Sequence, residues 1–436
     1  MIRAMHAETI TASSAETLGE LMRELGYSED GIHELLGEDA YDTEPEDVPA
    51  LARRLERGRL ATAIELLFLL RPVTEDDAVR AFGRRGVEAL VDAGLAEVAG
   101  EVAPRARVLP VGDLLVAGDG FSKGLDDPPD YVAPFSPTSR VLAALTPRRR
   151  VGSALDVGTG SGAQALLAAQ HAQRVVATDV NERALEFTRL NARLNGLANV
   201  ECRLGSLFDP VGDEQFDLIT CNAPYVISPE RRWMYRDAGF AGDELSARIV
   251  DGATARLADG GFATMNVSWL AANEDEPDER VLSWIDTSTC DAWVLVAWEA
   301  DPLHHAAEWT ADQEHVSAVD SALDEWMRYF ESLGARWVTE GTVVLHRREG
   351  VGRGVRLADR GDELGSRDDA GGARRPRRPR RRALTRRRRR RPRARPRTRR
   401  RGRKAFAPRR AQACARAARA RRANGRKLEG LRATRG

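Results

Sequence analysis

The sequence predicts an α/β protein in which helices cover both faces of a mostly parallel sheet, with a mainly helical segment ahead of it and a disordered basic tail behind. Three observations carry this. From about residue 139, strand-length apolar runs alternate with helix-length amphipathic stretches, which implies parallel strands joined by helical crossovers. Residues 8–93 instead place apolar side chains at three- and four-residue spacing, the mark of short amphipathic helices. The third observation is charge. Residues 351–436 hold 35 Lys and Arg against 6 Asp and Glu, a net of +29, whereas residues 1–350 hold 32 against 60, a net of −28. The overall net charge of +1 therefore conceals an acidic body and an arginine-rich tail with too little apolar content to fold.

In chain order, helices are expected over Ser14–Leu25, Pro49–Leu55, Leu60–Leu70 and Thr74–Ala93, the last broken near Gly83–Gly86. Thr74, followed by Glu75, Asp76 and Asp77, supplies a capping hydroxyl and acids at the positive end of the helix dipole. Leu95–Val98 and Val108–Val116 are expected to pair as strands. Helices followed by a strand pair describe a first domain, residues 1–116, that is either a helical cap over a substrate pocket or a winged-helix-like module. Its acidity favours the cap, because it would repel phosphates. Residues 117–138, rich in Gly, Pro and Asp, form a linker or lid opening a second domain, residues 117–350.

That second domain alternates as follows. Helices are expected over Ser139–Leu145, Gln164–Gln170, Glu182–Leu194, Glu244–Leu257 and Val316–Leu333. Strands are expected over Ala154–Val157, Arg174–Thr178, Val200–Leu204, Phe216–Cys221, Phe262–Val267, Trp293–Trp298 and Trp337–His346. Ligands of such sheets bind beyond the carboxyl ends of the strands, so the chemistry belongs just after residues 157, 178, 204 and 221.

Composition narrows the classes. The chain of 436 residues has room for two domains. Its four cysteines, Cys202, Cys221, Cys290 and Cys414, show no ligand-like spacing, which fits reduced thiols better than zinc or disulfides. The longest apolar stretch, Ala63–Leu70, is interrupted by Glu65 and too short to span a bilayer. No basic-then-apolar segment opens the chain. A cytoplasmic protein without membrane contact is expected.

The chemistry begins at Asp156-Val157-Gly158-Thr159-Gly160-Ser161-Gly162, between a strand and a helix. Three glycines let the chain turn tightly and let a ligand reach bare backbone. The spacing Gly158-x-Gly160-x-x-Ala163 also satisfies the dinucleotide fingerprint, with Asp179 at the expected distance for a ribose contact. Asp156 tilts the choice toward S-adenosylmethionine, since a carboxylate suits its cationic ammonium and sulfonium and repels a pyrophosphate. Asp179, at the second strand's end, can accept hydrogen bonds from both ribose hydroxyls, or cap the next helix, a task Asn181 can perform instead.

Directly after Phe216–Cys221 stands Asn222-Ala223-Pro224-Tyr225. A planar amide or aromatic amine nitrogen is a poor nucleophile because its lone pair is delocalised. The Asn222 side-chain carbonyl and the Ala223 backbone carbonyl can accept its two N–H hydrogens and orient it, while Tyr225 stacks on the flat target. His304-His305 lacks a third ligand nearby and suits a surface loop better than a metal. Trp233, Tyr235, Arg236 and Asp237 belong to the clamp's flanking loop, and Gly242-Asp243-Glu244 caps the next helix.

Together Ala154-Leu-Asp-Val-Gly-Thr-Gly-Ser-Gly162, Thr178-Asp-Val-Asn181, Phe208-Asp209-Pro210 and Asn222-Ala-Pro-Tyr225 resemble the class I small-domain methyltransferases. Within these they resemble most the HemK-type release-factor glutamine methyltransferases. The resemblance covers about residues 130–350. It implies a Rossmann-like, seven-stranded sheet of order 3-2-1-4-5-7-6 with the last strand antiparallel. It also implies Asp156, Gly158, Gly160 and Gly162 around the methionine part of S-adenosylmethionine, Asp179 on the ribose, Ser206 and Leu207 near the adenine, and Asn222 and Tyr225 on the target nitrogen. Ala223 departs from the family's proline but retains the carbonyl.

The implied reaction is N-methylation of a glutamine amide in a protein such as a release factor. The alternative is an exocyclic amine of adenine or guanine in RNA or DNA. The acidic body favours a protein or basic partner, while the tail would bind phosphate backbones non-specifically. The tail's Arg, Ala, Gly and Pro bias is also what an out-of-frame reading of a GC-rich gene produces.

Overall fold

The computed structural model describes residues 12–122, 126–230, 239–273, 278–310, 316–348 and 354–358. The chain divides after Leu364 into two units, and every described residue lies in the first.

Helices α1 (Ala12–Glu24), α2 (Glu29–Leu36), α3 (Val48–Ala52) and α4 (Arg59–Leu67) open the chain. They lead to β1 (Val73–Thr74), α5 (Glu75–Asp92), β2 (Ala96–Val98) and β3 (Glu101–Pro104). Thr74 caps α5 as expected, its hydroxyl accepting from the Asp77 amide at 3.1 Å. Gly83, at φ 71° and ψ 164°, breaks α5 in two. The small sheet runs β1-β3-β2, so the order helix, strand, two helices, hairpin is that of a winged helix.

One expectation is corrected here. Leu95–Val98 and Val108–Val116 do not pair with each other: β2 pairs with β3. The second stretch folds on itself as β4 (Arg107–Val111) and β5 (Leu114–Gly118), antiparallel from Arg107↔Gly118 to Val111↔Leu114. Gly112, at φ 57°, permits the tight turn that splits it.

The main domain contains α6 (Pro137–Leu145), β6 (Val151–Val157), α7 (Ala163–Ala169), β7 (Ala172–Asp179), α8 (Glu182–Leu194), β8 (Val200–Leu204) and β9 (Phe216–Cys221). It continues through α9 (Glu244–Arg256), β10 (Leu257–Ala271), α10 (Glu279–Ser283), β11 (Cys290–Ala300), α11 (Pro302–Trp309), α12 (Val316–Ser332), β12 (Trp337–Arg347) and β13 (Val355–Ala358). The sheet order is β13-β11-β12-β10-β9-β6-β7-β8, with β12 antiparallel to both neighbours. Counted from β6, the first seven strands follow 3-2-1-4-5-7-6 as expected. The sheet has eight strands, not seven: β13 adds to the β11 edge, parallel, from Ala292↔Val355 to Leu295↔Ala358. It arises from Val355-Arg-Leu-Ala358, the alternating start of the segment expected as a disordered tail, and it pairs the otherwise open backbone of β11.

The chain crosses from β6 to β7 to β8 and then returns to β9 on the other side of β6. That reversal opens a crevice at the carboxyl ends of β6 and β9. Helix α8 joins the domain to the N-terminal module: its Ala184, Phe187, Leu190 and Leu194 are buried in one cluster with Leu18, Met22 and Leu90. Asn191 and Asn195, one turn apart on α8, satisfy the open edge of β5. Asn191 exchanges two bonds with Ala117, each 2.8 Å, and Asn195 bonds Leu115 N–H and C=O at 2.9 and 2.7 Å.

Candidate active site

Strand register assembles the site. Val157 pairs with Thr178 on one side and Cys221 on the other, and Cys221 pairs with Met265. Asn266 in turn lies opposite Thr342. One step on, Asp179, Gly158, Asn222, Asn266 and Thr342 therefore form a row across the carboxyl end of the sheet. A Cβ on Gly158 would stand 3.1 Å from that of Ala223, so the glycine turn and the Asn-Ala-Pro-Tyr loop touch.

Gly158, Gly160 and Gly162 hold φ of 65°, 58° and 84°, left-handed values that favour glycine. Gly162 lies tight against Thr188, whose Oγ1 would be 2.8 Å from an added Cβ, whereas Gly160 has no atom within 4 Å of that position. The outer side of the turn is thus an open backbone cradle. Asp179 flanks it, half-buried, accepting from Gly160 N–H and Asn181 N–H, each at 2.9 Å. Asn181 caps α8 by accepting from the Arg183 amide, the task for which Asp179 was the other candidate. Burial raises the Asp179 carboxyl above its ordinary pKa. An open glycine cradle beside a strand-end carboxylate fits a nucleoside cofactor.

Asp156 is only 2% exposed and turned inward. Its oxygens accept from Thr159 Oγ1 at 2.7 Å, Thr220 Oγ1 at 2.8 Å and Ala165 N–H at 3.2 Å. Register explains the second, since Asp156 and Thr220 are neighbours in the sheet. It braces the cradle from beneath. Burial pushes its carboxyl up to about 6, against the opposing hydrogen bonds from Thr159 and Thr220.

The turn after β8 carries Ser206, exposed, and Leu207, half-buried with a left-handed φ of 48° and its carbonyl bonded to Thr178 Oγ1 at 3.2 Å. A backbone strained at a non-glycine residue is a common property of binding turns. The stretch after β5 straps across the start of α8. Asp119 pairs with Arg183 and accepts from Val132 N–H, and Asn181 and Arg183 donate to the Asp130 carbonyl. Ser161 donates to the Pro134 carbonyl, which ties this lid to the glycine turn.

Asn222 is half-buried. Its Nδ2 donates to Ser139 Oγ at 3.0 Å and its Oδ1 accepts from Asn266 Nδ2 at 2.7 Å. Thr342 Oγ1 donates to Asn266 Oδ1 at 2.8 Å. Pro224 and Tyr225 are half-buried and line a cleft with Phe240, Leu245 and Tyr329. Ser139 and Asn266 were not among the residues singled out from the sequence. Asn266 left one signal, a carboxamide between Met265 and Val267 in an apolar strand.

Two further expectations change. His304-His305 lies in helix α11 rather than a surface loop. His305 is fully buried among Trp298, Trp309, Trp326 and Phe330, with Nε2 3.1 Å from the Ile227 carbonyl. The apolar residues spaced along α11 and α12 bury that face. Asp243 is the N-cap residue of α9, but its side chain makes no capping bond. Its carboxylate is spent on Leu270 N–H, at 3.0 Å, and on Arg280. Trp233, Tyr235, Arg236 and Asp237 lie outside the described residues, as does the tail beyond 358. Among the described residues no group of three His, Cys, Asp or Glu gathers as a metal requires, and no helix is long and apolar enough to cross a membrane.

The sheet order, with this crevice at its switch point, is that of the class I methyltransferase fold. Residues 134–268 match the family model of the methyltransferase small domain, and residues 24–107 match a domain of unknown function (DUF7059). The chain is similar to the release factor glutamine methyltransferase of Aliivibrio fischeri, 34% identical over 124 residues that cover 27% of this chain and 43% of that protein. It is also similar to the ribosomal protein uL3 glutamine methyltransferase of Bradyrhizobium diazoefficiens, 31% identical over 213 residues, 45% of this chain and 61% of that protein. Among solved structures it aligns with Trm5b from Pyrococcus abyssi at 14% identity and a TM-score of 0.33, over 58% of this chain and 62% of that one. The chain spans about half the length of these curated relatives.

Proposed function

We propose that this protein is an S-adenosylmethionine-dependent N-methyltransferase whose target is the side-chain amide of a glutamine in a protein. The observation that carries the reading is the place of Asn222. It follows β9 directly, beside the glycine turn, with its carboxamide held at both ends. Two relatives named for glutamine methylation, of a release factor and of a ribosomal protein, support a translation protein as the substrate.

S-adenosylmethionine, when bound, supplies an electrophilic methyl group. The turn of Gly158, Gly160 and Gly162 would hold its methionine part, with Gly160 supplying the open side, Asp179 would take the ribose hydroxyls, and Ser206 and Leu207 would flank the adenine. Asn222 Oδ1 and the Ala223 carbonyl accept the two N–H hydrogens of the target amide, which turns its lone pair toward the cradle. Tyr225 stacks on the amide plane and excludes water. No protein base is needed, because the target nitrogen sheds its proton once it carries positive charge. The Asn222→Ala variant is expected to lose transfer by at least about 100-fold while its calorimetric affinity for S-adenosylmethionine changes less than about twofold. Undiminished transfer would remove the clamp from the mechanism.

The substrate class is tested by incubating the protein and tritiated cofactor with a lysate, then digesting separately with protease and nuclease. Label released by protease alone supports the reading. Label released by nuclease alone replaces it with methylation of a nucleobase amine.

A further inference from the structure

A carboxamide looks nearly the same from either end, yet only one end can receive an N–H. If Asn222 stood flipped, it would present Nδ2 to the target nitrogen, donor against donor. The protein must therefore fix which way round the group stands. We propose that Asn266 is a positioning residue that does this, setting the polarity of Asn222 through a relay anchored on the backbone carbonyl of Thr138. The inference rests on the clamp reading of Asn222.

Five contacts bear on it. Asn266 and Thr342 are each 4% exposed, so their polar atoms must be satisfied within the protein. Thr342 Oγ1 lies 2.8 Å from Asn266 Oδ1, but a hydroxyl donates or accepts as required and fixes nothing by itself. The Thr138 carbonyl, 3.4 Å from Asn266 Nδ2, can only accept. It holds the nitrogen end of Asn266 toward itself and toward Asn222, and a flipped Asn266 would set oxygen against oxygen. Asn222 must then offer Oδ1 to Asn266, at 2.7 Å, and Nδ2 to Ser139, at 3.0 Å. Ser139 Oγ is free to accept, because it lies 3.0 Å from Ser136 Oγ and can donate its own hydrogen there. An amide oxygen has two lone pairs. One goes to Asn266, and the second is presented to the target.

The test uses Asn266→Asp and Asn266→Ala in the full chain. At pH 8 the introduced carboxylate can only accept, so Asn222 turns its nitrogen toward it. Protein labelling by tritiated S-adenosylmethionine should fall by at least about 100-fold, with calorimetric cofactor affinity within about twofold of wild type. Below the introduced group's pKa a protonated carboxyl donates again, and the rate should recover. The wild type, run in parallel, carries the titrations of Asp156 and Asp179. Independently of activity, the Asn222 side-chain amide resonances of cofactor-free, 15N-labelled protein, identified by their loss in Asn222→Ala, should shift with that same pKa. An Asn266→Asp profile parallel to wild type, with unmoved Asn222 resonances, overturns the proposal. Should Asn266→Asp not fold, Asn266→Ala decides: kcat lower by at least about tenfold at unchanged cofactor affinity supports the role, and unchanged kcat overturns it. If the wild type labels no protein, the glutamine reading fails while the resonances still decide the polarity relay.

Discussion

Gly160 and Gly162 hold similar left-handed backbone in one turn, yet alanine at the two positions should fail in different ways. At Gly162 an added Cβ meets Thr188 Oγ1 at 2.8 Å and its Cα at 3.1 Å. Overpacking joins the backbone strain, and a loss of about 2–4 kcal/mol in urea unfolding is expected. At Gly160 the Cβ meets nothing. There only strain of about 1–2 kcal/mol is expected, accompanied by a clear loss of calorimetric affinity for S-adenosylmethionine. Equal affinity losses with equal stability losses would contradict an open cradle at Gly160. Asp156 gives a pH signature. Its folded pKa is raised from 3.8 to about 6, so between those values the folded protein binds a proton that the unfolded chain has released. The contribution is fully present below about pH 4 and is lost as pH rises through 6. The unfolding free energy of wild type minus that of Asp156→Asn should fall over this window, by about 3 kcal/mol at most; a flat difference would contradict it. At this scale the sequence singled out residues at or directly after strand ends, namely the glycines, Asp179 and Asn222, and strand register sets them side by side. Asn266 and Ser139 join the site only through register and helix placement, which a linear reading cannot supply.

Among the elements, α1 carries an unusual glycine. An added Cβ on Gly19 would overlap the carbonyl oxygen of Leu194 at the end of α8, and Arg23 caps that same end through Leu194 and Asn195. Glycine to alanine inside a helix ordinarily stabilises by up to about 1 kcal/mol. Gly19→Ala is expected to do the reverse, lowering the urea midpoint by the equivalent of about 1–3 kcal/mol; a raised midpoint would show that α1 does not pack this closely. Most helices and strands of the main domain were legible because their apolar periods are long and their ends are marked; the short helices α10 and α11 were not. The hairpins were less so. Leu95–Val98 and Val108–Val116 are each apolar enough for a strand, and only the turn at Gly112 and the partner strand β3 decide how they pair. β13 was hidden for a related reason: four residues pair with an edge whose existence depends on the rest of the sheet.

Across the whole molecule, α8 is the hinge of the architecture. One face closes the glycine turn through Thr188 and Asn191, which bond the Gly160 and Ser161 carbonyls at 3.1 and 2.8 Å. Its other face shares a buried cluster with the N-terminal module. That module has winged-helix order, while its acidic composition is what favours a cap. Charge reports what a surface repels, whereas strand order is set by burial. Parallel strands with a crevice at their carboxyl ends were foreshadowed by the alternation of elements, whereas the sheet order was implied by the family resemblance, which did not include the eighth strand. The substrate was not foreshadowed, because nothing in the clamp distinguishes one planar nitrogen from another. The most direct measurement is therefore the identity of the methylated group. Protein labelled by the wild type, digested completely to amino acids and analysed by mass spectrometry, is predicted to yield glutamine methylated on its side-chain nitrogen, and none from Asn222→Ala. A methylated lysine, arginine or nucleobase in its place would contradict the account.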